Sequence, residues 1–123
     1  MTGLLLVDKS AFMRSPEAER YSETLCVCPI IELEILYSAR DADEYARIEQ
    51  RLDLYRSLRV DTQTLATARG AQRELAALGR HRIPMPDLLI AACAQQHGAG
   101  VLHVDRHYDA LAEVLDFQPV RLS

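Results

Sequence analysis

A chain of 123 residues, 49% hydrophobic and 26% charged, is sized for one domain spanning 1–123 and should bury roughly two thirds of its unfolded surface, which excludes a disordered or low-complexity protein. A net charge of −4 excludes a protein that coats nucleic acid through general basicity. Three cysteines, Cys26, Cys28 and Cys93, are an odd count without a secretory leader, so a disulfide framework is not expected, and with no further soft ligands at suitable spacing they read as small core residues. Nothing approaches the ~20 apolar residues of a membrane span, so the expected location is cytoplasmic, with no membrane partner. Thirteen of the fourteen basic residues are arginine, and the guanidinium fork suits phosphate oxygens; the single lysine is Lys9.

The chain opens on "GLLLVDKSA", residues 3–11, whose unbroken apolar run predicts a buried strand of a parallel sheet ending at Asp8, with a helix from Ser10. "LCVC" predicts a second strand, and Pro29 suits the first turn of a helix carrying "IIELEILYSAR". In "DADEYARIEQRLDLYRSL" the apolar residues Tyr45, Ile48, Leu52 and Tyr55 fall three and four apart, predicting an amphipathic helix over 43–56. Asp61 caps "TQTLATARGAQRELAAL", a helix closed by Gly79; Pro86 and Gly98 bracket the next, "MPDLLIAACAQQHG". "GVLHVD" repeats the opening pattern and ends on Asp105, before a short helix at 106–114 and a last strand near "FQPVRL". Alternation of strands and helices predicts a three-layer α/β/α domain with a mainly parallel central sheet and right-handed crossovers.

Ligands of such sheets gather at the carboxyl ends of the strands, the edge where Asp8 and Asp105 both fall. Asp87 sits in the first turn of its helix, a place the helix dipole favours for a carboxylate in any case. Glu34 lies in an apolar stretch and needs water, a cation or a proton, whereas Glu32, two residues away, points to another face. Carboxylates converging on one cleft repel by about 4 kcal/mol per ionised pair at ~4 Å and an effective dielectric of 20. With no cysteine–histidine set, a hard divalent cation, Mg²⁺ or Mn²⁺, is the natural partner. Such an ion equips a site for phosphodiester hydrolysis, with nucleic acid as substrate.

Four pieces in order, "LLLVDKSA", "ELEILYSA", "PDLLIAACAQQHG" and "VLHVDRHYDALAEV", resemble the PIN-domain nucleases, in particular the VapC toxins of VapBC toxin–antitoxin systems, over nearly the whole chain. The resemblance implies that Asp8, Glu34, Asp87 and Asp105 are the metal-binding, catalytic acids, with Ser10 the nearby hydroxyl. It implies an Mg²⁺- or Mn²⁺-dependent endoribonuclease toxin cutting tRNA or rRNA, a cognate VapB antitoxin and a toxin homodimer. Departures are Lys9 for a common Thr, His103 for a Thr or Ser two residues before Asp105, and His107 for a frequent extra Asp. The last points to one ion rather than two. Ser10, Arg82, Arg106 and His107 are the candidate substrate-binding residues; Arg80, Arg82 and Arg106 are candidate contacts to the RNA backbone, and His103 and His107 flank the site. Water as nucleophile leaves 5′-phosphate and 3′-hydroxyl ends. The helices at 30–39 and 43–56 are candidate partner surfaces. Two other classes share part of the pattern. One is an inactive PIN-like interaction module; the other is an aspartyl-phosphate phosphotransferase or receiver domain, which wants a second acid where Ser10 stands, or a lysine ending a later strand.

Overall fold

A computed structural model describes residues 3–14 and 24–122. The elements in chain order are β1 (Leu4–Val7), α1 (Lys9–Phe12), β2 (Thr24–Val27), α2 (Pro29–Tyr37), α3 (Ala42–Leu52), β3 (Arg56–Ser57), α4 (Thr62–Ala77), α5 (Met85–His97), β4 (Gly100–His103), α6 (His107–Leu111) and β5 (Pro119–Arg121). The strands form one five-stranded sheet in the order β3-β2-β1-β4-β5, and every pairing is parallel.

That order reverses direction at β1. The chain first builds outward through β2 to β3, then returns to lay β4 on the other flank of β1 and β5 beyond it. Right-handed crossovers put the helices of the two arms on opposite faces, and the split between β1 and β4 leaves a crevice at their carboxyl ends. Both strands are sealed from solvent: Leu5, Leu6, Val7, Val101 and Leu102 are buried, as are Cys26, Val27 and Cys28 on the neighbouring strand. All three cysteines are buried and unbridged, in keeping with their reading as core residues.

Local signals place most boundaries. Asp61 accepts from the amides of Gln63 and Thr64 while the Thr64 hydroxyl accepts from the Asp61 amide, a reciprocal cap that starts α4. Gly98 takes φ 65° at the end of α5, the left-handed conformation that releases the chain into β4. The helix expected over 43–56 instead ends at Leu52, and Arg56–Ser57 pair with Cys26 and Val27 as the edge strand β3. The Leu58 amide extends the ladder to the Val27 carbonyl at 2.8 Å. Tyr55 keeps its apolar role from the turn, its ring centroid 5.8 Å from that of Phe12. The unpaired edge of β2 draws the chain out of the helix, and that edge is distant in sequence.

Candidate functional site

Asp8 follows the last residue of β1, and its own amide still donates to the Leu102 carbonyl of β4 at 3.0 Å, so the ladder holds its backbone. Its carboxylate does two jobs. One oxygen, Oδ2, caps α1 by accepting from the Ser10 amide at 3.3 Å and from the Ser10 hydroxyl at 2.7 Å. The other, Oδ1, accepts from the Tyr108 hydroxyl at 2.9 Å. Ser10 Oγ in turn accepts from the Val104 amide at 3.1 Å. The Ser10 hydroxyl thereby ties the end of β1 to the end of β4.

Asp87 reaches the same place from the first turn of α5, and it is buried with only 7% of its surface exposed. Tyr108 lies between the two carboxylates, its hydroxyl 3.4 Å from Asp87 Oδ1, and its wholly buried ring packs 4.9 Å from His103. Glu34 projects from α2 so that one oxygen each of Asp8, Glu34 and Asp87 falls within 4.8 Å of the others. Glu32 turns elsewhere and accepts from the Ser57 hydroxyl at 2.7 Å, holding β3. Asp105 follows β4 and accepts from the His107 amide at 3.0 Å. A second group, Asp87, Asp105 and His107, also brings its donor atoms within 4.8 Å of one another.

Concentrated negative charge is visible in the acid equilibria. Burial, and then the Asp8 charge, push the Asp87 carboxyl from 3.8 up to about 6, against the His107 hydrogen bond that lowers it. Burial, then Asp8 and Asp87, also raise Glu34, with Lys9 opposing. A cluster of oxygen donors whose members resist ionising together suits a divalent cation, which would remove the repulsion. The donor set therefore fits such an ion.

The remaining candidates separate. His103 is fully buried; its Nδ1 accepts from the Asp105 amide at 3.0 Å, burial holds it below the ordinary imidazole value, and Nε2 has no partner among the described residues. It orients Asp105 as a neutral ring. His97 faces the Arg59 carbonyl at 2.9 Å, away from the acids. Arg106 and Arg80 line an open groove with Ile83 and His107 beside the cluster, Arg80 paired with Glu113 at 2.7 Å. Arg82 is exposed in the loop before α5 and does not line that groove. Tyr108 was not singled out from the sequence; its place three residues after Asp105, on a helix starting at the strand end, was the available signal.

A second groove of about 580 Å³ adjoins Glu34 and Lys9 and is otherwise lined by Ile30, Leu33, Tyr37, Met85, Pro86 and Leu89. Leu33, Tyr37 and Met85 are exposed.

The PIN domain family model matches residues 5–114. Ribonuclease VapC17 of Mycobacterium tuberculosis is 42% identical over 126 aligned residues, covering 96% of this chain and 95% of that protein. Ribonuclease VapC18 of the same organism is 35% identical, covering 88% and 87%. In structure the chain superposes on VapBC-5 from Mycobacterium tuberculosis, a member of the VapBC family of toxin–antitoxin systems, with a TM-score of 0.76 at 22% identity, over 97% of this chain and 98% of that one.

Proposed function

From the chain's membership of the PIN-domain family, in its VapC branch, we propose that it is a metal-dependent endoribonuclease toxin that hydrolyses phosphodiester bonds of cellular RNA. The observation that carries this reading is the convergence of Asp8, Glu34, Asp87 and Asp105, from four separate segments, on the crevice between β1 and β4. The same four acids are the residues proposed to hold Mg²⁺ or Mn²⁺. When bound, such an ion polarises a phosphoryl oxygen and lowers the pKa of water at the site.

The protein's own contribution is placement. Asp8 cannot rotate away, because Ser10 holds one of its oxygens and Tyr108 the other. The Asp105 backbone is held by His103 and its side chain by the His107 amide. Asp87, raised to about 6, keeps its proton in mildly acidic solution and is the group that would give it up if an ion were loaded there. Arg106 and Arg80 both line the groove beside the cluster and are the proposed contacts to the phosphate backbone, setting register without reading bases. Arg82 stays in the reading as an outer contact from the adjoining loop. Water is the nucleophile, and products carry 5′-phosphate and 3′-hydroxyl ends.

A VapB-type antitoxin is the proposed partner. The apolar groove ending at Glu34 offers exposed Leu33, Tyr37 and Met85 to such a chain and leads it to the acids. Pairing of two toxin chains within that complex belongs to the same reading.

Purified protein is incubated with total cellular RNA and Mg²⁺ or Mn²⁺, with EDTA and Asp8→Asn as controls, and 5′ ends are mapped. Discrete metal-dependent cuts bearing 5′-phosphates, absent in the variant, are expected. Uncut RNA despite measurable ion binding would replace the nuclease by an inactive interaction module, and 2′,3′-cyclic phosphate ends would replace the hydrolytic scheme.

A further inference from the structure

The departure that argued for a single ion in the sequence, His107 in place of an acid, looks different once its ring is located. Its Nδ1 lies 3.0 Å from Asp87 Oδ2 and 3.0 Å from Asp105 Oδ1, so the imidazole points into the cluster and not out to solvent. The approach is built into the backbone, because the His107 amide is anchored on the same Asp105 oxygen at the first residue of α6. The side chain is 37% exposed, which leaves the ring room to adjust. The cluster therefore contains two overlapping donor groups that share Asp87. Asp8, Glu34 and Asp87 offer oxygen alone, and Asp87, Asp105 and His107 offer two oxygens and a nitrogen.

We infer that His107 is a direct metal ligand through Nδ1, and that with Asp87 and Asp105 it forms a mixed nitrogen–oxygen site for a divalent first-row transition ion, Mn²⁺ or its heavier neighbours, in preference to Mg²⁺. This rests on the reading of the cluster as the metal centre of a nuclease, and it adds the class of ion. Mg²⁺ is met by carboxylate, carbonyl and water oxygens, while an imidazole nitrogen shifts a site toward transition ions, with affinity rising from Mn²⁺ through Co²⁺. The balance of protons is simple. The ion takes the position between Nδ1 and the two carboxylates, any proton held there goes to solvent, and the ring keeps hydrogen on Nε2. A histidine that merely neutralised the acids as an ion pair would be expelled by the ion instead of binding it.

That difference can be read without activity. Mn²⁺ is bound to the RNA-free protein and followed by pulsed electron paramagnetic resonance, which detects nitrogen attached to the ion, with ¹⁵N-histidine labelling of the unaltered protein as the control. Titrations of Mn²⁺, Co²⁺ and Mg²⁺ are run on the same protein, on His107→Ala and on His107→Asp. The expected result is a nitrogen coupling whose frequency moves with the label and disappears in both variants. Since even outer partners of metal ligands are worth about 10–100-fold in affinity, His107→Ala should lose at least about tenfold for Mn²⁺. His107→Asp should recover Mg²⁺ binding more fully than Mn²⁺ binding. A bound ion with no nitrogen coupling in the labelled protein overturns the proposal while leaving the nuclease reading intact. Failure of the unaltered protein to bind any of these ions, together with uncut RNA, overturns both.

Discussion

Asp8 satisfies two roles that a sequence reader has to treat as competitors, the cap of α1 and a member of the acid cluster. It can do so because a carboxylate has lone pairs for both, and each oxygen is held by a separate hydroxyl. Tyr108 is the residue on which this depends most, being wholly buried and set between Asp8 and Asp87. Tyr108→Phe keeps the ring packing but leaves Asp8 Oδ1 without its donor, so it should cost about 1–3 kcal/mol in denaturant unfolding of the ion-free protein and also weaken Mn²⁺ binding. Unchanged stability and affinity would mean that the ring alone is needed. Asp8→Asn behaves differently. Its amide can donate to the Tyr108 oxygen, whose hydrogen then turns to Asp87, so no group is orphaned and one charge leaves a crowded cluster. The variant should melt in EDTA at or above the temperature of the unaltered protein and should not cut RNA; a clear fall in melting temperature would contradict this.

At the scale of elements, the site depends on how closely β1 and β4 lie. Gly100 opens β4 opposite Leu5, and a Cβ there would stand 3.0 Å from both the Gln118 carbonyl oxygen and Leu5 Cδ1. The Leu5 side chain can give way, but the Gln118 carbonyl belongs to the backbone leading into β5 and accepts from the Val101 amide. Gly100→Ala should therefore cost about 1–3 kcal/mol by strain, measured by urea unfolding, and should lower RNA cleavage by displacing Asp105 from Asp8. A variant with unaltered stability and cleavage would show that the sheet absorbs the methyl group. Helix α2 works differently, since one turn of it sends Glu34 to the cluster and Glu32 to Ser57 of the edge strand. The same helix carries Leu33 on the exposed groove. Leu33→Glu should abolish copurification with the proposed VapB-type antitoxin and spare cleavage of RNA; retained copurification would move the proposed partner to another face.

Across the whole molecule two carboxylates oppose each other in their response to acid. Asp87 has its folded value raised from 3.8 to about 6, so the folded state binds the extra proton between those values. Stability of the ion-free protein should then fall as pH rises from about 4 to about 6. Asp61 is held down from 3.8 to about 2, first by the Gln96 side chain, so its contribution is present above its unfolded value and is lost as pH falls through that window. Melting temperatures in EDTA should therefore peak near pH 4, with Asp87→Asn removing the decline toward pH 6 and Asp61→Asn flattening the acid side. A divalent ion should reverse the upper slope, since it binds the ionised cluster. A profile flat from pH 4 to 6 in EDTA would contradict the crowding of charge around Asp87. No described helix is long and apolar enough to cross a membrane.

Much of this protein is written locally along the chain. Apolar runs ending on Asp8 and Asp105, the reciprocal cap at Asp61 and the left-handed Gly98 are decided by residues within a few positions of one another, and each sits where short-range physical chemistry puts it. The parallel alternation follows from the same patterns, and with it the expectation that two strand-end acids share an edge. What local pattern cannot carry is any contact whose partner is far along the chain. The amphipathic stripe through Tyr55 continues a helical period, yet the chain leaves the helix at Leu52 because β2 offers an open edge 30 residues earlier, with Cys26 paired to Arg56. Asp87 is an ordinary first-turn acid until Asp8 and His107 are brought against it. The buried phenol contacts of Tyr108, the bridging hydroxyl of Ser10 and the inward turn of His107 likewise exist only once β1, β4, α5 and α6 meet at one crevice, because a hydrogen bond depends on distance in space and not on separation in sequence.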